Sequence, residues 1–71
     1  MSEREYVVIV EMSDTSFGAY VPDLPGCVAV GESKDEVIEL IREAIGMHFE
    51  SLRENDEPIP VPHSFVETVS V

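Results

Sequence analysis

The side chains that could do acid–base or metal chemistry are few and far apart. The chain has one cysteine, Cys27, and two histidines, His48 and His63. Metal sites built from these residue types use short spacings such as C-x-x-C or H-x-x-x-H, and neither spacing occurs here. We therefore expect no metal and no other cofactor.

A hydrolytic site would have to combine His48 with the carboxylates Glu11 and Asp23. A histidine base needs a nucleophile within reach and a third group that orients it, and the sequence offers no such set. Cys27 at the start of a strand is typical of a small buried hydrophobe. His48 lies in the apolar stripe of a predicted helix, half-buried, and His63 lies exposed in a proline-rich connector. We expect no enzymatic activity.

The stretch YVPDLPGCVAVGES, residues 20–33, places prolines, glycines and the cysteine between two apolar runs. Asp23 there has two interpretations: a turn residue that bonds nearby backbone, or a contact residue on a stiff exposed corner. Gly26 is predicted to supply a positive φ or close strand packing.

Size and charge limit the possible partners. A chain of 71 residues predicts a single domain, residues 1–71. On folding, a domain of this size buries only roughly 60% of the surface that its unfolded chain exposes. We therefore expect self-association to add to its stability. A single cysteine indicates a reducing compartment, and the apolar run 6–10 is too short for a signal peptide or a membrane span. We expect a cytoplasmic protein.

Fifteen acidic against four basic residues give a net charge of −11. Such a chain repels nucleic-acid phosphates and anionic lipid, so we expect neither as a direct partner. A basic protein partner and simple solubility both remain open.

Three short strands are predicted in REYVVIVEM, FGAYV and CVAVG, joined by turns in SDTS and PDLPG. Short connections favour an antiparallel meander. Both faces of the first strand are largely apolar, which predicts that this strand is central.

A helix over residues 34–54 is the strongest prediction. Ser33 and Glu36 form a capping box, and a broad apolar stripe follows at helical spacing. Leu40 and Met47 lie beside that stripe and are candidates for a subunit contact. The outer side carries Glu36, Glu39, Glu43, Glu50 and Glu54, either a solvated face or a docking surface for a basic protein.

The segment PIPVP predicts an extended connector, and SFVETVSV alternates as a last strand. A right-handed crossover places that strand parallel to the first one. The predicted fold is a two-layer α+β sandwich, β-β-β-α-β with order 3-2-1-4, the helix on one face and the other face bare.

The ordered set YVPDLPGC, VGESKDEV, REAIGMHFESL and PIPVP resembles the HicB-like family, the antitoxin half of HicBA toxin–antitoxin modules. The resemblance spans roughly residues 5–62. It implies a partial ribonuclease-H-like fold without catalytic activity. It also implies a partner, the small basic toxin HicA, which cleaves mRNA with a histidine that HicB masks. Many family members continue into a DNA-binding domain that binds their own promoter. Because this chain ends at Val71, after the predicted last strand, we expect it not to bind promoter DNA.

Two functional hypotheses follow. In the first, the chain masks a HicA-type toxin through the corner residues Tyr20, Asp23, Leu24 and Pro25 and the helix acids Glu36, Glu39 and Glu43. In the second, it is a stand-alone homo-oligomer, a dimer or tetramer without a toxin. The predicted subunit interface residues are Val7, Ile9, Leu40 and Met47.

Overall fold

The computed structural model describes residues 5–71. Three strands, β1 (Ile9–Met12), β2 (Phe17–Tyr20) and β3 (Val28–Gly31), precede one helix, α1 (Lys34–Glu54). The fold is α+β, as predicted, and the bounds of the helix coincide with the predicted ones. No helix in this part of the chain combines the length and apolarity that crossing a bilayer requires.

The three strands form an antiparallel sheet in the order β1-β2-β3. Val10 lies opposite Ala19, and Ala19 lies opposite Ala29, so these three side chains share one face. The predicted meander is confirmed. The prediction that the first strand is central is wrong for this sheet: β2 lies in the middle, and β1 forms an edge because residues 5–71 supply no strand on its other side.

The helix covers one face of the sheet and forms the core with it. Buried residues of the sheet, corner and helix make one cluster: Ala19, Val21, Leu24, Cys27, Val37 and Ile41. Ile38, Ala44, Ile45 and Phe49 of the predicted stripe pack against this cluster. The 3.6-residue periodicity therefore identified the correct helix face.

The helix begins at the predicted cap. Ser33 is extended and its hydroxyl accepts a hydrogen bond from the Glu36 amide at 3.1 Å. The Glu36 carboxylate reaches back as expected, but it accepts from the amide of Glu32 at 2.5 Å, one residue before the cap. Both bonds satisfy amides at the helix start that lack intrahelical partners.

After the helix the chain runs without regular secondary structure from residue 57 to residue 71. The structure does not show the predicted fourth parallel strand or the ribonuclease-H-like order that depends on it. Alternation in SFVETVSV predicts a strand from local sequence, whereas strand formation also needs an edge to pair with.

Candidate functional site

The corner between β2 and β3 is built from consecutive tight turns. The amide of Leu24 donates to the carbonyl of Val21 at 3.1 Å, the amide of Cys27 donates to the carbonyl of Leu24 at 3.1 Å, and the amide of Val21 donates to the carbonyl of Cys27 at 3.2 Å. Gly26 has φ 82°, so the predicted positive φ is confirmed. These bonds close the loop from 21 to 27 on itself and fix its shape.

This corner turns its central side chains inward. Leu24 is fully buried and Cys27 is 4% exposed. Burial raises the pKa of the Cys27 thiol, which keeps it protonated and poorly nucleophilic. The interpretation of Cys27 as a small buried hydrophobe is confirmed.

The Asp23 carboxylate holds the segment that follows the helix. Its Oδ2 accepts hydrogen bonds from the amides of His63 at 2.8 Å and Ser64 at 3.1 Å. Its Oδ1 accepts from the Ser64 hydroxyl at 2.6 Å and lies 3.2 Å from His63 Nε2. We call this cluster of Asp23, His63 and Ser64 the Asp23 anchor.

The hydrogen bond from the Ser64 hydroxyl, with the two backbone amides and His63, lowers the pKa of Asp23 even though burial acts in the opposite direction. The carboxylate is therefore kept ionised by donors that approach both of its oxygens. Asp23 is 4% exposed. Asp23 lies in the turn as predicted, but its carboxylate bonds the distant residues 63 and 64 and not nearby backbone. It is buried and not exposed, because segment 63–64 covers the carboxylate; its role as a partner contact stays a prediction.

A second contact ties the same segment to the core. The Tyr6 hydroxyl donates to the carbonyl of Pro60. The Tyr6 ring packs on Phe49 of the helix with centroids 5.8 Å apart. Residues 60–64 are thus attached to the segment before β1, whose Tyr6 packs on the helix, and to the corner.

The chemistry of the Asp23 anchor is that of a structural contact. In a catalytic triad the hydroxyl donates to the histidine and the carboxylate orients that histidine. Here the Ser64 hydroxyl and His63 Nε2 both face Asp23, so no base is placed to activate the serine. The anchor fixes the path of the chain.

The sequence analysis missed the pairing of Asp23 with residues 63 and 64. The partners are separated by 40 and 41 residues, and no periodicity links a turn to a distant connector. The sequence offered one signal for this pairing: Asp23 is flanked by apolar and proline residues. An acid that becomes buried among such residues needs hydrogen-bond donors from elsewhere in the chain.

The outer surface of the corner is formed by other residues. Tyr20 is 41% exposed, and Pro25 is exposed. Leu24 and Asp23 were predicted as partner contacts together with them, and their side chains point into the protein. A direct contact from Leu24 would require the corner to open, because its side chain has no accessible surface.

The acidic side of the helix is fully accessible. Glu36, Glu39 and Glu43 are exposed. Glu39 lies 3.8 Å from Arg42 in an exposed pair, and such a pair contributes little to stability. The carboxylate of Glu36 also caps the helix, so two of the three acids have a neighbour besides water.

The sheet face opposite the helix is mostly apolar and is exposed along β3; the register also places Glu11 on it, in line with Gly18 and Val30. Ile9 lies opposite Tyr20, and Tyr20 lies opposite Val28. Val28 is 63% and Val30 68% exposed. Ile9 is half-buried, as is Val7. We call the surface formed by Ile9, Tyr20, Val28 and Val30 the bare face. On the helix, Leu40 is 37% and Met47 68% exposed.

Comparison with known proteins places the chain in a family. The family described as HicB-like antitoxins of bacterial toxin–antitoxin systems matches residues 6–70. That match includes the corner, the helix and the Asp23 anchor. No solved structure matches significantly.

Relatives come from bacteria, archaea and a phage. A UPF0150 protein of Thermoplasma acidophilum is 41% identical over 54 residues, 76% of this chain and 78% of that protein. A UPF0150 protein of Synechocystis is 34% identical over 67 residues, 93% of this chain and 85% of that one.

A 14.9 kDa protein from the rep–hol intergenic region of Haemophilus phage HP1 is 34% identical over 55 residues. The match covers 78% of this chain but 41% of the phage protein, so the chain spans under half of that relative. The agreement in length with the two UPF0150 proteins and the match to nearly every residue lead to one conclusion: the chain belongs to the HicB-like antitoxin family.

Proposed function

We propose that this chain, acting as one domain over residues 1–71, is an antitoxin that binds and masks a small basic, mRNA-cleaving toxin of the HicA type. Family membership carries the proposal. The charge supports it, since a net charge of −11 suits a partner whose own surface must attract RNA. The protein acts by binding, without catalysis, and does so in the cytoplasm.

The proposed contact residues lie on the outer side of the helix and at the corner, where Tyr20 belongs to the sheet face opposite the helix. Glu36, Glu39 and Glu43 supply negative charge along the helix. Tyr20 and Pro25 supply exposed apolar surface at the corner. Carboxylates in those places would occupy the positions that RNA phosphates take on the toxin, and opposite fields would speed association.

In this proposal Asp23 and Leu24 act indirectly. Leu24 fills the core under the corner, and Asp23 holds segment 63–64 against it. A corner with a fixed shape loses less conformational entropy on binding than a mobile loop does. These two residues therefore support the surface from within.

The test is a tagged pull-down from the native host at low and high salt, followed by mass spectrometry of the bound protein. We expect a small basic protein that is lost at high salt and is toxic when expressed alone. Recovery of untagged copies of this chain and nothing else would instead favour the second candidate, a homo-oligomer without a toxin. The bare face, with Val28 and Val30 largely exposed, is the observation behind that candidate.

Charge variants locate the surface. Replacing Glu36, Glu39 and Glu43 by glutamine should weaken binding of the captured toxin at least about tenfold, because three charge pairs are lost. The matched control replaces Glu50, Glu54 and Glu57, which are also exposed and change the net charge equally. Equal weakening in both triple variants would show that net charge acts, without a defined surface on residues 36–43.

A further inference from the structure

Residues 65–71, FVETVSV, form an apolar tail beyond the Asp23 anchor. Phe65, Val69 and Val71 share one side of an extended chain with Glu67, opposite Val66, Thr68 and Ser70, and are 87%, 80% and 122% exposed. The structure gives this tail no hydrogen bond to residues 5–64. Alternating β-branched and aromatic residues are typical of a strand with one covered face, and here that face meets water.

The tail leaves the domain next to the bare face. A groove of about 360 Å³ separates it from the residues that precede β1, with Tyr6 and Val7 on one side and Phe65 and Val66 on the other. By alternation Val7 shares its face with Ile9. The tail and the bare face are therefore neighbouring apolar surfaces that do not close on each other.

The tail, residues 65–71, is long enough to pair along the full length of an edge strand. Seven extended residues span ~23 Å, whereas a four-residue strand such as β1 or β3 spans ~13 Å. β1 and β3 are the two edges of the sheet formed by the described residues. An exposed edge offers unpaired amides and carbonyls to an added strand.

Charge favours a second copy of this chain as the occupant. The tail contains Glu67, the register places Glu11 on the bare face in line with Val30, and Glu5 lines the groove; these are three of the fifteen acidic residues. Two chains with a net charge of −11 repel each other, and they can approach more closely here than at the outer side of the helix, which carries Glu36, Glu39, Glu43, Glu50 and Glu54. A basic partner would gain little charge attraction there.

We propose that residues 65–71 form the fourth strand in trans, pairing with an edge strand of a second copy and covering its bare face. Each copy donates its tail and accepts that of the other, so the contact is isologous and the assembly closes as a two-fold dimer. The Asp23 anchor fixes the point from which the tail departs. The proposal does not rest on toxin binding, but the two contacts overlap at Tyr20, which belongs to the bare face and to the proposed toxin surface.

The experiment is sedimentation velocity over a broad dilution series, combined with hydrogen exchange of the tail amides. The wild-type chain should dimerise with concentration, and the amides of residues 65–71 should become protected as it does. Phe65→Ser with Val69→Ser should raise the dimer dissociation constant at least about tenfold, because two apolar side chains are removed from the contact.

A backbone variant distinguishes strand pairing from nonspecific hydrophobic association. Thr68→Pro removes one backbone amide donor from the tail while leaving its apolar side chains unchanged, and it should also break the dimer. Val61→Ser is the matched control, since Val61 is 71% exposed and precedes the Asp23 anchor, and it should leave the dimer intact. All four substituted positions are exposed, so we expect the far-UV spectrum to stay unchanged.

Three results would overturn the proposal. The first is a wild-type chain that stays monomeric at every concentration. The second is a dimer that survives both tail variants, which would place the interface elsewhere, for example at Leu40 and Met47. The third is a monomer with protected tail amides, which would mean that the tail closes on its own sheet.

Discussion

Asp23 stabilises the fold through its ionised form. Its carboxylate accepts bonds from the Ser64 hydroxyl and from the amides of residues 63 and 64. The same contacts lower its pKa below the ordinary value of 3.8. A pKa that is lower in the folded than in the unfolded state means that the stabilisation is present above the unfolded pKa and is lost as the pH falls through the folded one.

We therefore predict that Asp23→Asn lowers the stability of the protein at neutral pH and makes its stability less dependent on pH below about 4. Urea unfolding followed by circular dichroism at several pH values measures both effects. Asp14→Asn is the control, because Asp14 is an exposed turn residue. Parallel pH profiles for the wild type and Asp23→Asn would contradict the assigned role.

At the residue scale, the sequence predicted local features and missed a distant one. The positive φ of Gly26, the burial of Cys27 and the exposure of His63 follow from residue type and immediate neighbours. The pairing of Asp23 with Ser64 depends on how the chain returns after the helix. No local pattern encodes that path. The sequence therefore leaves two interpretations of Asp23 open and does not identify residues 63 and 64 as its partners.

At the scale of elements, the contact between β3 and α1 depends on the absence of a side chain at Gly31. A Cβ added at Gly31 would lie 3.0 Å from the amide nitrogen of Val37 and 3.2 Å from its Cα. Val37 is fully buried in the first turns of the helix. The end of β3 and the start of the helix can pack this closely only because residue 31 is glycine.

We predict opposite effects of alanine at two glycines. Gly31→Ala should destabilise the protein by about 1–3 kcal/mol, since backbone atoms would have to move apart. Gly46→Ala should stabilise it by about 1 kcal/mol, because helical alanine is favoured over glycine and open space surrounds the added Cβ. Urea unfolding of both variants tests this. An unchanged or more stable Gly31→Ala would show that the packing of β3 on the helix does not depend on Gly31, and a less stable Gly46→Ala would contradict the second prediction.

Among the elements, those defined by a local rule were predicted correctly. The helix bounds followed from the cap at Ser33, the apolar periodicity and the proline after residue 57. The meander followed from two short turns. The fourth strand could not be predicted in the same way. Alternation in residues 65–71 indicates strand propensity, but it does not determine which edge strand these residues pair with.

At the scale of the whole molecule, two kinds of surface respond oppositely to ions. The acids of the helix lie on a strongly charged side, whereas the bare face and the tail are apolar and carry few charges. Salt screens attraction between opposite charges and repulsion between like charges equally well. A chain with a net charge of −11 should therefore change its preferred partner with ionic strength.

We predict that raising the salt concentration weakens binding of the basic toxin and strengthens self-association of the chain. Screening reduces the attraction in the first case and the mutual repulsion of two acidic copies in the second. Toxin titrations and sedimentation velocity at the same series of salt concentrations measure the two constants side by side. If both constants weaken together, the dimer is held by ion pairs, and the tail cannot be its main contact. If both strengthen, the toxin binds through apolar surface, and the helix acids lose their proposed role.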